Sequence, residues 1–145
     1  MVSFNSEQEG SFRVMEIPST LRAAREPEDV ILREAEARGY AEETLFAVKL
    51  ALEEAMTNAV KHGNDCDPGK RVTVRYRVTD ETIEVVVRDE GGGFEPDGVP
   101  DPTTPDRLPL PNGRGIMLMR AYMDQVHYRR NGTEVYMMKR KGASE

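Results

Sequence analysis

Between His62 and Val72 the hydrophobic pattern changes from the 3.6-residue repeat of a helix to the two-residue repeat of a strand, and such a change calls for helices packed on a sheet. Upstream of it, Ala41 to His62 is the longest periodic segment, with Glu42 and Glu43 in its first turn, Lys61 and His62 in its last, and Gly63 placed to cap it. Downstream, Val72, Val74, Tyr76 and Val78 alternate with Thr73, Arg75 and Arg77. After a short turn at Thr79 to Glu81, TIEVVVR completes an antiparallel hairpin buried on one face. QVHYRR and TEVYMMK flank Asn131-Gly132 as a second hairpin. Ser11 to Ile17 reads as a short strand ended by Pro18, with Phe12, Val14 and Glu16 on one side. Thr20 to Arg38 is helix-forming. Pro27 should divide it into two short helices or kink one, and Gly39 suits its C-terminal cap. Gly115 to Met123 also reads as helical. The order β, α, α, β, β, loop, α, β, β predicts an α+β fold, a two-layer sandwich with helices on one face of a mixed, mostly antiparallel sheet.

A chain of 145 residues makes one domain, expected over 1–145, large enough to need no disulfide or structural metal. The single Cys66 cannot pair internally and suits a reducing compartment, so the expected location is cytoplasmic. No run approaches a membrane span, and MVSFNSEQEG has neither the basic nor the apolar region of a signal peptide. The net charge of −6 argues against general affinity for nucleic acid or anionic lipid. It is unevenly spread: residues 1–69 carry seven basic and fourteen acidic side chains, residues 70–145 thirteen and twelve. The basic group of Arg129, Arg130, Lys139, Arg140 and Lys141 reads as a solvated strand face or as a docking patch.

Three places could carry chemistry. On the long helix, Leu45, Val48, Leu52, Ala55, Met56 and Ala59 share an arc of about 100°, the core stripe. Glu54 and Asn58 lie off it and only about 40° apart, whereas Glu53 points about 140° away from Asn58. Ala47 and Ala51 leave room beside that polar pair. The pair is either a surface contact worth roughly 0.2–0.5 kcal/mol, or a base beside an amide oxygen able to hold a hard metal ion. Second, Asp89-Glu90-Gly91-Gly92-Gly93-Phe94 follows a strand directly. Consecutive glycines there imply positive φ or close approach to the main chain, in a plain turn or a ligand loop. No helix opens after it, so a Rossmann fingerprint fails, and the spacing from Gly63 to Lys70 fails as a Walker loop. Third, Asn112-Gly113-Arg114-Gly115-Ile116 follows a 17-residue segment, 95–111, that holds most of the nine prolines. It reads as a helix entry or as an anion cradle of backbone N–H groups helped by Arg114.

In that order, Glu54-x-x-x-Asn58-Ala59-x-x-His62, Asp89-x-Gly91-x-Gly93-Phe94 and Gly113-x-Gly115-Ile116 resemble the N, G1 and G2 boxes of the GHKL ATPase superfamily, whose Bergerat fold has this layout. The resemblance covers nearly the whole chain. Within the superfamily, Glu54 to Asn58 and the segment Arg114 to Val126 are similar to bacterial anti-sigma factors that are also serine kinases. The resemblance implies ATP and Mg²⁺ as cofactors. It implies that Asp89 accepts a hydrogen bond from the adenine amino group and that Gly91 and Gly93 admit the base and ribose. Asn58 would hold Mg²⁺, with Lys61 adding a cation to the phosphates. Gly113, Arg114 and Gly115 would close over the phosphates, Thr133 would support the adenine side, and Glu54 would take the proton of an incoming serine hydroxyl. His62 would line the phosphate side or simply cap the helix. His127 has no implied role.

The implied activity is phosphorylation of a serine on a STAS-type anti-anti-sigma partner, with a sigma factor as second partner and a homodimer common in the family. Neither the helical hairpin and phosphoacceptor His of a histidine kinase nor the second domain of a gyrase-type ATPase is expected. The alternatives are a nucleotide-gated sequestering protein without turnover and a stand-alone ATPase.

Overall fold

The computed structural model describes residues 12–91, 119–142 and 145. The segment 95–111, the expected sites Gly93, Gly113, Arg114 and Gly115, and most of the helix expected from Gly115 lie outside them; residues 119–122 of that helix are helical. The strands are β1 (Arg13–Pro18), β2 (Arg71–Val78), β3 (Thr82–Arg88), β4 (Gln125–Arg129) and β5 (Glu134–Arg140), and the helices are α1 (Arg25–Ala37) and α2 (Glu42–Thr57), the latter continued by a π-helical turn, Asn58–Gly63. The five strands form one sheet in the order β1-β2-β3-β5-β4. The expected mostly antiparallel sheet is wholly so among the described residues, since all four neighbouring pairs are antiparallel.

The alternation in β2 and β3 has the expected consequence on the helix-facing side only, since the cross-strand pair Arg75 and Val86 on the opposite side is buried as well and the hairpin is not buried on one face alone. Val72, Val74, Tyr76 and Val78, with Ile83, Val85 and Val87, face the helices and pack with Ile31 and Ala35 of α1 and Val48, Leu52 and Met56 of α2. From β1 it is Ile17, with Met15 beside it, that joins this core. The Val14 and Glu16 side of that strand is exposed, and Phe12 receives the Arg77 guanidinium over its ring. On that outer face Arg77 and Glu84 form an ion pair at 2.5 Å.

Three local expectations are refined. Pro27 does not divide the first helical segment, because α1 starts at Arg25 and Pro27 sits in its first turn, where the missing N–H would have had no intrahelical acceptor. Ala51 does not border an open space: it is fully buried in the core, because α2 packs against α1 as well as the sheet and so buries a wider arc than one stripe. The connection between β4 and β5 takes four residues, 130–133, of which Arg130–Gly132 form a 3-10 turn, rather than Asn131 and Gly132 alone, with positive φ at Arg130 (54°) and Gly132 (87°). Among the described residues no helix is long and apolar enough to cross a membrane.

Candidate functional site

An open pocket lies between the C-terminal part of α2 and the sheet, spanning about 460 Å³ with its solvent-open mouth included. Its floor is one inward-facing cross-strand row, Val87 on β3, Val135 on β5 and Tyr128 on β4, aligned by register. Its roof is the helix face carrying Ala55, Asn58, Ala59, His62 and Gly63. Ala55 and Ala59 are too small to fill the distance to the floor, so the layer that is solid around Leu52 and Met56 opens here into a cavity. Asp89, Gly132 and Thr133 close one side. An apolar slot with a few polar groups converging on it is the usual build of a small-molecule site.

The helix end and the strand end meet by unusually close backbone approach. The π turn widens the winding, so the Asn64 N–H reaches back five residues to the Ala59 carbonyl (2.9 Å), a distortion frequent at functional sites. Gly63 ends that turn against the Asp89 carboxyl group, and a methyl group on Gly63 would overlap it. A methyl group on Gly91 would overlap the Gly63 carbonyl. Of the two explanations for glycine after β3, close approach therefore holds at Gly91, whose φ is not positive.

Asp89 is held from three directions. Its own N–H donates to the Thr133 carbonyl (2.8 Å), its Oδ1 accepts from the Gly91 N–H (2.8 Å), and its carboxyl packs on Gly63. Only 9 % of the residue is exposed. Burial pushes its carboxyl up to about 6, against the opposing pull of the Gly91 N–H and of Lys70. A raised carboxyl at the edge of a cleft marks a place where a ligand donor would be welcome. Tyr128 on the floor is also shifted upward by burial, with Arg120 opposing.

Of the residues singled out from the sequence, Asn58, His62, Asp89 and Thr133 line this one pocket, and Gly91 abuts it through Gly63 and Asp89. The Thr133 hydroxyl donates to the Arg130 carbonyl (2.8 Å), which fixes the wall beside Asp89. Glu54 is half-buried and Lys61 exposed, and neither is part of the lining. His127 is exposed on the outer sheet face, stacked on Tyr136 with 6.0 Å between ring centroids. The sequence reading gave no site role to Ala55, Ala59, Gly63, Tyr128 or Gly132. Ala55 and Ala59 read as core and Gly63 as a cap, and Tyr128 carries a recoverable signal, since alternation in β4 puts it on the same side as Val126.

Comparison with known proteins agrees with this geometry. The sequence profile of the histidine kinase-like ATPase domain matches residues 17–139. The serine-protein kinase RsbW of Bacillus pumilus is 38 % identical over 112 residues, covering 70 % of this chain and 68 % of that protein. The anti-sigma F factor of Clostridium perfringens is 33 % identical over 102 residues, covering 69 % and 68 %. The crystal structure of the RsbU and RsbW domains of a Mycobacterium tuberculosis protein superposes with a TM-score of 0.58 at 17 % identity, over 90 % of this chain and 31 % of that one, and so shares the fold.

Proposed function

The chain belongs to the histidine kinase-like ATPase family, and from that premise we propose that it is a cytoplasmic Mg-ATP-dependent protein serine kinase and anti-sigma factor. Its substrate would be a serine of a STAS-type anti-anti-sigma partner, and it would hold a sigma factor when that partner is absent. One observation carries the reading: the end of α2, with Asn58 and His62, and the strand ends, with Asp89 and Thr133, line the same slot. The naming of relatives as serine-protein kinase and anti-sigma factor supports the activity and the class of partner.

In this reading Val87 and Val135 would floor the adenine, Asp89 would accept a hydrogen bond from its amino group, and Asn58 would serve the phosphate side. Among the described residues no group of three or more His, Cys, Asp or Glu gathers to bind a metal ion. The residues fit Mg²⁺ nonetheless, because that ion takes one or two protein oxygens and fills its shell with phosphate and water; the Asn58 amide supplies one. When bound, Mg²⁺ would offset the charge of the phosphates. Lys61 would add a cation, and Gly93, Gly113, Arg114 and Gly115 would complete the enclosure. Glu54 would accept the proton as the serine oxygen bonds to the γ-phosphorus and the bond to ADP breaks. A homodimer fits the same family pattern.

The test is incubation with Mg-ATP and the purified STAS-type partner. Phosphoserine should form on the partner, and Glu54→Gln should abolish it while sparing ATP binding. Full activity in that variant would overturn the role of Glu54. The second reading, nucleotide-gated sequestration without turnover, draws on the position of Glu54 outside the pocket lining; ATP-dependent sigma binding with no phosphoserine would favour it.

A further inference from the structure

Asn64, directly after the π turn, is fully buried and is not itself part of the pocket lining. A buried amide has to be satisfied at both ends, and this one is satisfied by the backbone of two other segments. Its Oδ1 accepts from the Glu90 N–H (2.8 Å), and its Nδ2 donates to the Arg71 carbonyl (3.0 Å). The Glu90 side chain closes the ring by accepting from the Arg71 N–H (2.8 Å). Three places in the chain, the residue after the π turn, the start of β2 and the turn after β3, are thus tied together by one side chain.

The residue next to Glu90 is Asp89, whose carboxyl rests on Gly63, the residue next to Asn64. We infer that Asn64 is a positioning residue for base recognition: by fixing Glu90 it sets the place of the Asp89 carboxylate over the slot, and with it the preference for a purine bearing a 6-amino group. The inference rests on the proposed ATP site. Asn64 itself is fully buried, and removing its amide takes from the Glu90 N–H and the Arg71 carbonyl the side chain that joins them, so the turn is freed and Asp89 drifts from the base edge.

The test compares binding of ATP with that of purine riboside triphosphate, which has the same sugar and phosphates but no 6-amino group, by titration calorimetry. Wild type should prefer ATP. Asn64→Ala should lower ATP affinity by about tenfold, the size expected for losing one charge-assisted hydrogen bond, and leave the analogue almost unaffected, so the preference collapses. Asp89→Ala added to Asn64→Ala should then cost little more. Asn64→Asp, which keeps the shape and the Glu90 contact but sets an oxygen against the Arg71 carbonyl, supplies an independent variant should Asn64→Ala not fold, with a smaller loss of preference expected. Equal weakening of both nucleotides, or an unchanged preference in both variants, would overturn the inference while leaving the ATP site standing. Failure of wild type to bind either nucleotide would instead overturn the ATP reading, and this inference with it.

Discussion

Replacing Gly91 by alanine adds one methyl group at the tightest junction of the molecule. The new carbon would overlap the carbonyl, carbon and α-carbon of Gly63, and all three are backbone atoms that cannot rotate aside. The helix end or the turn after β3 must then move by something on the order of 1 Å to restore van der Waals distance. Overpacking of this kind costs about 1–3 kcal/mol. The displaced turn also carries the Gly91 N–H donated to Asp89 (2.8 Å) and the Glu90 N–H donated to Asn64 (2.8 Å), and weakening either adds about 1 kcal/mol. A total of about 2–4 kcal/mol corresponds, for a chain of this size, to a fall in Tm on the order of 10 °C. Because Asp89 moves with the turn, ATP affinity should fall by roughly tenfold or more even where the variant is fully folded. Thermal unfolding and ATP titration on the same sample check both. A variant within 1 °C of wild type that binds ATP normally would show that Gly63 and Gly91 are not in contact, and the reasoning about how this site is assembled would fail.

The remaining predictions concern charge and core. The folded carboxyl of Asp89 lies near 6, above its ordinary value of 3.8, so the folded chain takes up this proton first. Its ionisation therefore opposes folding, an effect absent below about pH 4, growing through about pH 6 and complete above it, at most about 3 kcal/mol. The Tm of Asp89→Asn relative to wild type should thus be higher at pH 7.5 than at pH 4.5, and a pH-independent difference would contradict the burial assigned to this group. ATP affinity of the wild type should drop between pH 7.5 and pH 5 as the acceptor is protonated, read by calorimetry. Leu52→Ala, at a core position 1 % exposed, should lower stability to urea by about 2–5 kcal/mol. Lys61→Ala, at an exposed position, should leave stability within about 0.5 kcal/mol; a weaker ATP affinity at unchanged Tm would mark its use toward phosphate, and a large fall in Tm would contradict its surface position.

Much of the framework was legible because it depends on short-range pattern. The β2 and β3 hairpin follows from the alternation of Val72, Val74, Tyr76 and Val78 and of Ile83, Val85 and Val87 on either side of a short turn, and the long helix from the spacing of Val48, Leu52, Ala55 and Met56. The four-residue connection, 130–133, was less legible, since Asn-Gly favours a two-residue turn and only the paired register of β4 and β5 fixes where the strands end. Pro27 misled because its effect depends on its distance from the start of α1, which local sequence does not set.

For the site, the sequence by itself determined which chemical groups are present and in what order: an amide on a helix, a carboxylate beside glycines at a strand end, a threonine after a turn. Only the tertiary structure decided that Ala55 and Ala59 face Val87, Val135 and Tyr128 across an open slot, that Gly63 rather than a distant element meets Gly91, and that Asn64 ties the parts together. The physical reason is that motif residues act through their own side chains and leave a trace in local spacing. A cavity and a backbone contact arise between segments far apart in the chain, and are settled only when the helix and the sheet pack.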